Sequence, residues 1–151
     1  MQHLQDRPDR EAGRPRAALP GMLRQFIGRF QEAAILEGLS GEEAAFFRGK
    51  MADLSALIEA MPKTYEQEAR GEQAVVHLHY FRGISDFYIT ERDSDPDGAG
   101  QVQAFGLADL FGDGGELGYI SIPEIIAAGV ELDLYWTPRT LAEVRRKRRA
   151  R

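Results

Sequence analysis

A chain of 151 residues, 43 % hydrophobic and 28 % charged, has the size and balance of a globular protein with one core, and no apolar run in it reaches the roughly 20 residues that span a bilayer. It contains no cysteine, which excludes disulfides, thiolate catalysis, zinc fingers and iron–sulfur clusters. Its net charge of −5 is a sum of unlike parts: residues 1–63 set nine basic against nine acidic residues, residues 64–144 set four against fifteen for a net of −11, and residues 145–151 add +6.

Residues 1–19 mix charge with proline, show no apolar period and hold no secretory segment, so a disordered arm on a cytoplasmic protein without a membrane partner is expected. Leu23, Phe26, Ile27, Phe30 and Ala34 then recur at three- and four-residue spacing, which predicts a helix over residues 21–37 with these five on its buried face. Gly38 suits a left-handed terminator, and Ser40 with Glu43 spells a capping box. The next helix carries Phe47, Met51, Leu54, Ile58 and Met61 at spacings of 4, 3, 4 and 3, a narrow seam suited to another helix. Pro62 ends it. Residues 20–61 are therefore expected to form a helical hairpin, through which a homodimer would pair by Phe46, Phe47 and Met51.

The period changes after a polar connector over residues 63–72. AVVHLHYF at residues 74–81 and DFYITE at residues 86–91 are β-branched and aromatic and flank Gly83, which predicts a β-hairpin. DSDPDGAG, residues 93–100, reads as a loop. A strand over residues 101–110, a FGDGG turn and a strand over residues 116–121 follow. Ser121, Glu124, Pro123 and Gly129 mark a short capped helix. VELDLYW at residues 130–136 alternates cleanly, with Val130, Leu132, Leu134 and Trp136 on one face, and predicts a strand. Thr140 and Glu143 cap a last helix that runs into the basic tail. The sum is an α+β fold: a helical hairpin over 20–61, then over 62–144 a mostly antiparallel sheet of about five strands with short covering helices, then a basic tail over 145–151.

Taken together, HLHYFRGISDFYITERD, AFGLADLFGDGGELGYIS and ELDLYWTPRTLAEV resemble a family of domains of unknown function found on conjugative plasmids, prophages and other mobile elements. The shared features are Phe87 to Glu91 (FYITE), Phe105 with Gly106, Glu116 to Tyr119 (ELGY) and Asp133 to Pro138, within residues 62–144. The family commonly has Trp where this chain has Phe87. The resemblance implies a setting among antirestriction, replication and transfer functions, and no mechanism.

Several patterns invite a chemical reading. His77 and His79, two apart on a strand, would share a face and with nearby carboxylates form a metal site; the plainer reading is a solvated face. Asp93, Asp95, Asp97 and Gly98 copy the opening of a calcium loop, but its twelfth position is Ala104 and not the required Glu. The glycines at 112, 114, 115 and 118 fit neither phosphate-loop spacing. Among the carboxylates, Glu91, Glu116 and Asp133 lie in the shared motifs, which makes them, with His77 and His79, the residues of any catalytic site. Ser85 and Ser121 lack a nucleophile elbow. Arg145, Arg146, Lys147, Arg148, Arg149 and Arg151 would contact a nucleic-acid backbone, or else merely suit the helix dipole. No cofactor is expected. The leading expectation is a non-enzymatic accessory protein of a mobile element that binds another protein. The alternatives are an acidic DNA mimic of the antirestriction type and a metal-dependent hydrolase or nuclease.

Overall fold

The computed structural model describes residue 19 and residues 21–94 and 100–150. In chain order these form a 3-10 helix (Gly21–Phe26), α1 (Arg29–Leu39), α2 (Ala44–Ala60), a second 3-10 helix (Glu68–Gln73), β1 (Val75–Val76), β2 (Leu78–Arg82), β3 (Ser85–Glu91), β4 (Ala104–Asp109), β5 (Glu116–Ile120), α3 (Ile122–Ala127), β6 (Glu131–Leu132), β7 (Arg139–Thr140) and α4 (Leu141–Arg149). The fold is α+β. Its main sheet has the order β5-β4-β3-β2-β6, every pairing antiparallel, and β1 with β7 makes a separate two-stranded ladder. Residues 1–18 of the expected arm and the Asp95, Asp97 and Gly98 part of the loop lie outside the described residues, as does Arg151; Leu19, the arm's last residue, is instead buried in the core.

The helical hairpin lies on one face of this sheet. Phe26, Ile35, Met51, Leu54, Ile58 and Met61 share a single buried cluster with Tyr80, Ile89, Ile120 and Leu132. Tyr80 is fully buried and its hydroxyl donates to the Phe26 carbonyl at 2.5 Å, which supplies the partner that a buried phenol needs. Burial pushes its pKa upward. The seam offered for a dimer is thus occupied within the chain, apart from Phe46, which stays exposed. The boundary expected at 61/62 falls inside one packed unit.

Local expectations for the hairpin need four corrections. The helix expected over 21–37 is broken at Gly28, whose extended backbone resets the helical phase; Ile35 is buried, whereas Phe30 is 84 % exposed and Ala34 is also exposed. Gly38 does not terminate α1. A Cβ there would lie 2.5 Å from the Phe47 ring, so its role is to let the two helices close. The capping box at Ser40 and Glu43 is not formed, because the Ser40 hydroxyl donates back to the Leu36 carbonyl at 3.1 Å and α2 begins at Ala44.

The sheet follows the sequence more closely. The β2–β3 hairpin, β5 and the Ser121-capped helix α3 stand where the patterns put them, while the strand expected over 101–110 begins only at Ala104; the Ser121 hydroxyl accepts from the Glu124 N–H at 3.3 Å. The strand expected over 130–136 stops after Leu132. The Asp133 carboxylate accepts the Tyr135 N–H at 2.9 Å and so turns the chain out of the ladder, the local competition that Asp brings to extended backbone. The run expected over 74–81 is likewise interrupted at His77, with β1 leaving to pair β7.

The other sheet face is covered by α4. Leu141 and Val144 pack with Ala74, Val76, Tyr88 and Leu107, flanked by Trp136. Thr140 caps this helix as expected, accepting from the Glu143 N–H at 3.2 Å. The segment read as a tail from residue 145 is the body of α4. Among the described residues no helix is long and apolar enough to cross a membrane.

Candidate functional site

Antiparallel pairing places His79 opposite Tyr88, and Asp86 opposite Asp109, all on the α4 face. There they build a charged network. His79 Nδ1 meets Asp133 Oδ2 at 2.9 Å and Nε2 meets Asp86 Oδ1 at 2.7 Å. The second Asp86 oxygen accepts from Arg148 Nη1 at 2.8 Å, which also donates to the Tyr88 hydroxyl at 2.7 Å, while Arg148 Nη2 donates to Asp109. The Tyr88 ring stacks on the His79 ring with centroids 4.9 Å apart, and Trp136 leans on both. Asp109 is fully buried and also accepts the N–H groups of Gly112, Asp113 and Gly114 at 2.8–3.2 Å, so one carboxylate both holds Arg148 and shapes the glycine turn. Burial alone would lower the Arg148 pKa, but its bonds to Asp86 and Tyr88 and the Asp109 charge carry it above its ordinary value.

The structure therefore joins two of the predicted residues, His79 and Asp133, and separates the rest. His77 sits at the break between β1 and β2, its N–H on the Ile89 carbonyl at 2.9 Å; burial, and then the nearby Arg70 charge, lower its pKa. Glu116 is exposed at the start of β5. Glu91 is buried, accepting the Gln67 N–H at 3.3 Å and the Thr90 hydroxyl. Among the described residues no three His, Asp or Glu side chains gather as a metal site. With both ring nitrogens bound to carboxylates, His79 has none left to take a proton from a substrate. Ser85 donates to the Leu110 carbonyl, and Ser121 caps α3.

Of the basic residues, Arg148 is consumed by the network and Arg145 donates to both Glu72 oxygens at 3.0 and 3.1 Å; Arg146, Lys147 and Arg149 remain exposed. A cleft of about 860 Å³ beside α4 is lined by Arg145, Arg148 and Arg149 but also by Asp86 and Asp113. Its walls mix both signs, which gives a phosphate no advantage. The acidic body and the basic helix answer each other within one chain.

A different region is left open. The β6 edge is short and closed: the Gln31 amide donates to the Leu132 carbonyl at 2.7 Å and accepts its N–H at 2.9 Å, as a neighbouring strand would. The β5 edge has no such cover among the described residues. On it Leu117 is 45 % and Tyr119 54 % exposed. Tyr119 meets Phe105 and Tyr65 edge-to-face with centroids 6.0 and 6.4 Å apart, and the two tyrosine hydroxyls are hydrogen-bonded to each other, which, with lesser effects of burial and charge, raises the Tyr119 pKa. The register of β4 with β5 puts Phe105, Leu117 and Tyr119 on one face, beside the area that α4 covers. The ELGY pattern shows a strand but not that it is an edge. Alternation alone does not say which strand ends a sheet; only the long-range pairing does.

No family model matches the chain, and no curated protein or solved structure is found to be similar to it.

Proposed function

We propose that this chain is a non-enzymatic protein-binding module, an accessory protein of a mobile genetic element, which engages its partner along β5. The mobile-element setting rests on the resemblance carried by the FYITE, FG, ELGY and DLYWTP motifs. The binding mode rests on one observation: Tyr65, Leu117 and Tyr119 lie exposed, with the half-buried Phe105 among them, beside a strand edge that is open among the described residues. Such an edge is a template for another strand, and stable monomers ordinarily blunt it with lysine, proline or a cover. The other edge of this sheet carries such a cover in Gln31. Gly118 supports the same reading. Its φ is not positive and a Cβ there would meet nothing within 4 Å, so nothing inside the protomer demands glycine, whereas a strand glycine often marks the close approach of another backbone.

The test is affinity capture with the full chain, comparing wild type, Leu117→Lys and Arg146→Ala. Leu117→Lys is expected to reduce the captured partner by about tenfold, as a charge set into an apolar edge does, and Arg146→Ala to leave it unchanged. Capture that survives Leu117→Lys but falls with Arg146→Ala and with nuclease treatment would instead point to nucleic acid.

A further inference from the structure

We infer that the small pocket shared by this strip and Glu91 takes the side chain of a lysine presented by the partner strand. This rests on the protein-binding reading above. The pocket measures about 200 Å³ and is lined by Tyr65, Glu68, Glu91, Phe105, Leu117 and Leu141, among others. Its size is below the roughly 300–1,000 Å³ that holds a cofactor or metabolite and suits a single side chain.

Its chemistry selects which one. Glu91 is 3 % exposed, and among the described residues its carboxylate is held by the Gln67 N–H and the Thr90 hydroxyl. Among the described residues no cation pairs with it: the basic side chains that form ion pairs go to Glu72, Asp86, Asp109 and Asp133. Burying a carboxylate without its counter-charge is costly, and a cation arriving in the pocket supplies what is missing. Leu117, Leu141 and Ala74 offer apolar wall to an aliphatic stem. Tyr65 and Phe105 offer aromatic rings, which attract an ammonium group. Glu68 in the lining adds negative potential at the approach. A compact ammonium on a four-carbon stem answers each of these features, while the guanidinium fork of arginine is best matched by a carboxylate with both oxygens free, and each Glu91 oxygen already accepts a bond.

The test is a titration of the full-length protein followed by NMR at the Tyr65, Phe105 and Leu117 side chains. The probes are butylammonium chloride, butanol as its neutral counterpart, and the blocked peptides Thr-Val-Lys-Val-Thr and Thr-Val-norleucine-Val-Thr. Butylammonium is expected to bind about tenfold more tightly than butanol, the lysine peptide about tenfold more tightly again, and the norleucine peptide to lose the gain that the charge supplies. Glu91→Gln, which preserves shape and the bond from the Gln67 N–H while its amide NH2 would donate to the Thr90 oxygen in place of accepting from it, should weaken butylammonium by about tenfold and leave butanol unchanged. Glu68→Gln, at an exposed position that folding does not need, should weaken it by about two- to threefold. Equal binding of amine and alcohol, or indifference to both substitutions, would overturn the assignment. So would a lysine peptide no tighter than the free amine. If Leu117→Lys abolishes capture while Glu91→Gln leaves it intact, the protein-binding reading stands and the lysine pocket falls.

Discussion

On one face of the sheet Tyr80, Ile89 and Leu132 share an apolar cluster with Phe26 and Ile58; on the other, His79, Asp86 and Asp109 meet Asp133 and Arg148. The hairpin face is held by area removed from water, a non-directional contribution that tolerates adjustment of shape. The α4 face adds a small apolar patch to a chain of directional bonds, so it fixes one position of the helix more narrowly than hydrophobic contact would. The difference teaches where stability comes from and where specificity of docking does.

The contrast can be broken from either side. Ile58→Ala, at a fully buried position, should have the largest effect, about 2–5 kcal/mol by chemical denaturation, because the cavity adds to the lost transfer energy. Arg148→Ala comes next, at about 2–4 kcal/mol, since it strands the buried Asp109 without its cation while Asp109 keeps its three backbone N–H donors. Its signature should be local, with α4 loosened and the hairpin core intact in near-ultraviolet circular dichroism. An Arg148→Ala cost within about 0.5 kcal/mol of wild type would place the network among ordinary surface ion pairs.

The smallest effect is one of pH. The fold holds His77 below its ordinary value through burial and Arg70, so the unfolded chain takes up a proton more readily than the folded one. The stabilisation from the neutral ring is complete above about pH 6.5 and is lost as pH falls through the lower folded value. As pH falls through this window the denaturation midpoint should drop further for wild type than for His77→Gln, whose side chain does not titrate. Parallel curves would remove the assignment.

Much of the apolar face was legible in the sequence because it is written locally. Met51, Leu54, Ile58 and Met61 fall at helical spacing and are buried together, and the two β-branched and aromatic runs flanking Gly83 form the β2–β3 hairpin. Phe30 misled because its period continues through Gly28, where the chain bends. The polar face was hardly legible. His79 and Asp133 are 54 positions apart and Arg148 and Asp86 are 62 apart, and although the sequence singles out His79, Asp133 and Arg148, nothing local says that they meet. The sharp separation of −11 over residues 64–144 from +6 over residues 145–151 was a visible sign of it, and the chain's own helix meets part of that charge through Arg145 and Arg148.

That docking is tested most directly by native-state hydrogen exchange at the amides of Val144 to Arg148. The account predicts protection of these amides that is lost together with that of Tyr88 and Leu107 on the sheet, and that falls selectively in Arg148→Ala. Exchange at the rate of an unstructured chain while β3 and β4 stay protected would show a free basic tail and contradict the account.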